Sequence, residues 1–168
     1  MRSRADKVAY CALFTALGLI LSYVEALIPI HLIIPIPGFK LGLANLALML
    51  AFFALGYGYA FAVSVCRITL TALLFGTVTS FWFSLAGGLL SLLALMIYKL
   101  VLCRLCGTLG LSVMCAAMHN IGQCLACAVF FGFSVITFYL PILLLISLVT
   151  GSLTGVLIHR FLKIKITV

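Results

Sequence analysis

The chain has 168 residues, 67% of them hydrophobic and 7% charged, with a mean hydropathy of +1.44. Soluble domains run about 45–50% apolar and about 25% charged, so an ordinary soluble fold is excluded, as is disorder, which needs low hydrophobicity. Ten Lys and Arg against two acids, Asp6 and Glu25, give a net charge of +8, and the basic residues flank apolar runs, a membrane pattern rather than a nucleic-acid-binding one.

A membrane-spanning helix takes about 20 apolar residues. The chain therefore holds about six, with no room for an extramembrane catalytic domain. The expectation is all-α: a polytopic membrane protein forming a six-transmembrane-helix bundle in one integral-membrane domain, 1–168. The spans are read at 8–28, 40–55, 59–75, 82–102, 109–133 and 138–161. The start imitates a signal peptide, with Arg2 and Arg4 before an apolar run. That run is long and five more follow, so an uncleaved first helix is expected.

Between the first two spans, residues 29–39 are apolar yet carry Pro29, Pro35 and Pro37. Proline at this density forbids a regular helix, and irregular backbone at membrane depth must be buried in protein or line a cavity. The segment reads as a lid-like loop; a loop lying on the lipid interface is the alternative. Gly56-Tyr57-Gly58 turns the chain into span three. Trp82, opening span four, reads as an interface anchor, and Gly87-Gly88 as a place of close helix packing. In span six, Ser147, Gly151 and Gly155 recur at four-residue spacing, which lets helix backbones approach. Ala12 and Ala16 do the same in span one, where an external partner competes with internal packing as the explanation.

With six spans, Arg2, Arg4, Lys7, Lys99, Arg104, Arg160, Lys163 and Lys165 fall on one side, and Lys40 stands in a loop on the other. The positive-inside rule then places both termini in the cytoplasm and the chain in the cell membrane.

Against this apolar background, the polar residues inside spans stand out. Arg67 lies mid-span, where an Arg costs about 2.5 kcal/mol or more. It contacts an anionic ligand group or pairs with Glu25, the one deep carboxylate. His119, Asn120 and Gln123 form a polar island in span five, on one helix face by their three- and four-residue spacing. They read as a binding surface or as interhelical glue. Lys40 and Asn45 open span two, where free N–H groups at a helix start and a nearby cation favour an anion; a snorkelling Lys is the alternative.

Other motifs are missing. No G-x-x-x-x-G-K-[ST] loop is present. Two distant acids make neither a Mg²⁺–diphosphate site nor the third member of a Ser-His-Asp triad. Cys103-x-x-Cys106 and Cys124-x-x-Cys127 have nominal zinc spacing, but the second pair lies deep in an apolar helix, so these cysteines read as packing residues. No cofactor, metal, catalytic residue or nucleic-acid partner is expected, and the chain reads as a non-enzyme.

Several stretches together resemble a known family: Pro37-Gly38-Phe39-Lys40-Leu41-Gly42-Leu43-Ala44-Asn45, Arg67 with Leu73-Leu74-Phe75-Gly76, Ser84-Leu85-Ala86-Gly87-Gly88, His119-Asn120-x-Gly122-Gln123, Leu140-Pro141-Ile142 and Thr150-Gly151. This is the Gx transporter family, also called heptaprenyl diphosphate synthase component I. The resemblance covers nearly the whole chain. The family in turn looks like the substrate-binding S components of energy-coupling-factor (ECF) transporters, six-helix bundles with a first-loop lid. That likeness implies an A-x-x-x-A contact to a transmembrane coupling subunit, here Ala12-x-x-x-Ala16, with energy from partner ATPases. The family motifs map onto Lys40, Asn45, Arg67, His119, Asn120 and Gln123 as the binding residues. The expected ligand is a small, anionic, amphipathic metabolite. The alternative is a non-catalytic membrane partner of a polyprenyl diphosphate synthase. Glu25 and His119 leave a proton-coupled carrier as a further reading.

Overall fold

A computed structural model describes residues 3–28, 40–103 and 106–167. The apolar runs fold as six helices: α1 (Arg4–Leu27), α2 (Asn45–Leu55), α3 (Tyr57–Phe75), α4 (Val78–Ile97, continued by a π-helical turn Tyr98–Leu102), α5 (Thr108–Phe131) and α6 (Ser134–Thr167). No strand occurs among the described residues. Five of the helices are long and apolar enough to cross a membrane. The protein is thus an all-helical, multi-pass membrane protein. The lid-like loop expected over 29–39 lies outside the described residues, as do Arg2 and Arg104.

Local chemistry sets the boundaries. Ser3 caps α1 in a reciprocal box: Asp6 N–H donates to Ser3 Oγ at 3.1 Å, and Ser3 N–H donates to Asp6 Oδ2 at 2.9 Å. One of the two acids is therefore committed to a helix start. Thr77 caps α4 by accepting from Ser80 N–H at 3.2 Å, so that helix begins four residues before the expected 82. Gly56 and Gly132, at φ +101° and +93°, end α2 and α5 in the left-handed region that favours glycine. α6 is longer than expected at both ends and runs through Pro141.

Span two needs the largest correction. The helix begins at Asn45, not at 40, and its 11 residues extend about 16 Å, roughly half a hydrocarbon core. Residues 40–44 are non-helical, with Gly42 at φ +86°. Side chains of other helices bind the Lys40 N–H and C=O and the Leu43 N–H, while Gly42 O and Leu43 O accept from the start of α2.

Neighbouring helices alternate in direction. Leu43 pairs with Glu25, and a Cβ on Gly18 would touch Ala47, which sets α2 antiparallel to α1. Gly122 abuts Ala86 and Gly87, and Ser91 Oγ donates to Cys115 O at 3.1 Å, which sets α5 against α4. Gly151 and Gly155 lie on Val113 and Leu109, so the small-residue spacing of α6 serves packing within the chain. The start of α1 and the end of α6 thus share one end of the bundle. Short α2 contacts all five other helices, and Ala47 to Ala51 are buried on every side.

The core divides along the bundle axis. Toward the end that holds the start of α1, Phe14, Leu48, Met49, Leu95, Leu111 and Ile158 form the main apolar cluster. Toward the other end, Phe83, Cys124, Cys127 and Leu143 form a smaller one, with the two cysteines as packing residues. Between and beside them lies a polar cluster.

Candidate functional site

The polar cluster is organised around residues 40–44. Gln123 on α5 reads the backbone of Lys40 from both sides: Lys40 N–H donates to Gln123 Oε1 and Gln123 Nε2 donates to Lys40 O, each at 2.9 Å. The same Nε2 donates to Asn120 Oδ1 at 3.3 Å, and Asn120 Nδ2 donates to Leu143 O on α6 at 2.9 Å. The Lys40 ammonium donates to Ser84 Oγ on α4 at 2.9 Å. Leu43 N–H donates to the Glu25 carboxylate on α1. Three helices therefore satisfy backbone and side-chain groups that a regular helix would have paired internally, which is the condition for irregular backbone inside a membrane.

Arg67 rises from α3 beside this segment. It is 2% exposed. Its aliphatic stem crosses Gly18, where a Cβ would come within 2.5 Å of Arg67 Cδ. Nη1 donates to Ser22 Oγ at 3.4 Å. Glu25 and His119 both lie in the field of Arg67 and Lys40. Arg67 and Glu25 share no hydrogen bond. Glu25 is turned to Leu43, so the structural ion pair is not the arrangement found. His119 packs between Gly42 and Gly87; a Cβ on Gly87 would stand 2.6 Å from its Nδ1.

Many buried polar atoms have no partner: Glu25 Oε2, both side-chain atoms of the Asn45 amide, Ser64 Oγ, Arg67 Nε and Nη2, Thr71 Oγ1 and His119 Nδ1. Each such atom costs about 1–3 kcal/mol if left dry. Orphans in this number within an otherwise apolar bundle call for partners that the described side chains do not supply.

The structure brings Lys40, Arg67, His119, Asn120 and Gln123 into one cluster, and Asn45 flanks it beside Gly42. Their roles differ from a uniform ligand shell. Gln123 and Asn120 are used up by Lys40 backbone and Leu143, while Arg67, His119 and Asn45 keep free atoms. The expected free N–H groups at the start of α2 are partly taken, since Asn45 N–H and Leu46 N–H donate to Gly42 O and Leu43 O. Sequence reasoning offered Glu25 as an ion-pair partner of Arg67 or a proton carrier, not as the acceptor for Leu43 N–H, and gave Ser22, Ser64, Thr71 and Ser84 no role. Three- and four-residue spacing around Arg67 was the available signal for Ser64 and Thr71; Ser84 stood only as the first residue of a family-like stretch, residues 84–88. Ala12 and Ala16 are exposed on α1.

A family model described as heptaprenyl diphosphate synthase component I matches residues 14–161. The chain belongs to that family. The match spans Arg67 and the α5 polar island, and it includes Ala16 but begins after Ala12. Comparison with curated proteins finds no match, and comparison with solved structures finds none.

Proposed function

We propose that the protein is the substrate-binding membrane subunit of an ECF-type uptake transporter. Its ligand is a small, anionic, amphipathic metabolite. The observation that carries this reading is the set of orphaned atoms around Arg67, His119 and Asn45, buried where only a polar guest or water can meet them. Arg67 and Lys40 offset the anion's charge, His119 and Asn45 hydrogen-bond its polar part, and the surrounding apolar helices accept the rest. The subunit makes no bond-breaking step of its own. Energy comes from partner ATPases through a coupling subunit seated on the Ala12 and Ala16 face. The chain lies in the cell membrane with both termini cytoplasmic, following its basic residues.

A second reading is favoured by the family description: a non-catalytic membrane component that holds a polyprenyl diphosphate synthase subunit. One experiment separates the two. The tagged chain is purified from its native membrane and what accompanies it is identified by mass spectrometry. ATPases together with a multi-helix membrane subunit support the transporter. A soluble prenyl synthase in fixed ratio supports the second reading and overturns the first.

A further inference from the structure

One edge of one side chain stands without a partner in the described site. A guanidinium presents its Nη1 corner and, on the other side, an edge formed by Nε and Nη2. Ser22 meets Nη1. Nε and Nη2 are both unpaired, on a side chain that is 2% exposed. These two N–H groups point the same way and are spaced for two oxygens of a single carboxylate or phosphoryl group. Unpaired Ser64 and Thr71 flank Arg67 on the same face of α3, three residues before and four after. Glu25 does not fill the edge in this structure: its Oε1 accepts from Leu43 N–H, and its Oε2 makes no hydrogen bond.

Charge restricts the guest. Two basic side chains, Arg67 and Lys40, and one carboxyl group, Glu25, face one another here, a formal sum of +1. One negative charge balances it. The further charges of a diphosphate would be buried without counterparts, which is strongly unfavourable. A divalent cation chelated by the diphosphate would offset part of that charge, but the protein offers it few carboxylate ligands. The chain has two acids; Asp6 caps α1, and among the described residues no three His, Cys, Asp or Glu come together.

We propose that the Nε–Nη2 edge of Arg67 docks a singly charged oxyanion, a carboxylate, and that the same site rejects diphosphates. This rests on reading the cluster as a ligand site, and not on the transporter assembly. Of the other arginines, Arg4 opens α1 and Arg160 is exposed on α6; Arg2 and Arg104 lie outside the described residues. Replacing these four by Lys leaves Arg67 as the one guanidinium in the chain. The ¹⁵N-arginine-labelled variant, in maltoside micelles free of phosphate, is titrated with acetate, dimethyl phosphate or pyrophosphate at constant ionic strength.

Acetate is expected to shift the Arg67 Nε–H resonance downfield, and pyrophosphate to need a concentration about tenfold higher or more. The proposal is overturned if acetate leaves the resonance in place, or if pyrophosphate acts at the lower concentration. A response to dimethyl phosphate alone overturns the carboxylate assignment and makes the guest a phosphodiester. Should the four-lysine variant fail to fold, the resonance is identified in the unaltered chain as the one missing from Arg67→Lys. Anion docking without co-purifying ATPases would keep this proposal and remove the transporter; the converse separates them the other way.

Discussion

The two ends of the bundle are held together by different means. The end where α1 starts and α6 finishes is closed by apolar side chains, and its buried hydroxyls are satisfied: Ser91 donates to Cys115 O, and Ser112 to Thr108 O. The other end is joined by side chains that grip a non-helical segment, and its neighbourhood leaves Ser64, Thr71, Asn45, His119 and half of Arg67 unsatisfied. Both regions are equally buried. What separates them is whether polar atoms find partners within the chain. Among the described residues, the first region pairs its buried hydroxyls and the second leaves several polar atoms unpaired.

Changes on either side of that divide should have separable effects. Gly122→Leu is expected to have the largest, because even a Cβ at 122 would come within 2.6 Å of Ala86 O and 2.8 Å of Gly87 Cα. Forcing α4 and α5 apart should cost about 3 kcal/mol and disturb both ends, seen as loss of a monodisperse peak in size exclusion. Leu95→Ala, in the apolar end, should cost about 2–4 kcal/mol in mixed-micelle unfolding while leaving the acetate response of Arg67 unchanged. An altered response would break the division into two regions. Gln123→Leu strips both partners from the Lys40 backbone. It should cost about 2 kcal/mol and accelerate amide exchange at Lys40 without changing it around Leu95.

Glu25→Gln keeps an oxygen for Leu43 N–H and removes a negative neighbour of Arg67. Its stability effect should stay within about 1 kcal/mol. Acetate should bind more tightly, and the preference against pyrophosphate should relax. Unchanged anion selectivity in this variant would contradict the charge argument. Ala12→Leu with Ala16→Leu should be smallest in stability, within about 0.5 kcal/mol, since both positions are exposed. In the proposed assembly this variant loses its coupling subunit on co-purification.

The long helices were legible because their apolar runs exceed what a soluble helix needs, and charges mark the start of α1, the end of α4 and the end of α6. Arg67, His119, Asn120 and Gln123 were legible because lipid has no use for them. The start of α2 was hidden: residues 40–44 are as apolar as a helix, and the partners that hold them straight lie up to 83 residues away. Glu25 was hidden for the same reason, since its partner is the amide of Leu43 and a backbone group leaves no mark on a sequence. The orphaned atoms were illegible in principle, because whether Asn45 finds a partner depends on where five other helices stop.

The shortness of α2 has a consequence for how the protein is made. An 11-residue helix is too brief to cross a bilayer alone, so it depends on its neighbours, of which α3 follows directly after Gly56. The chain that supplies Ser84 and Gln123 is synthesised 44 and 83 residues after Lys40. Until α5 has left the ribosome, the amide and ammonium of Lys40 must stay hydrated, and α2 cannot sink to its final depth. Closure around Lys40 therefore waits for α5, which supplies Gln123, and for α6, whose Leu143 O holds Asn120 beside it.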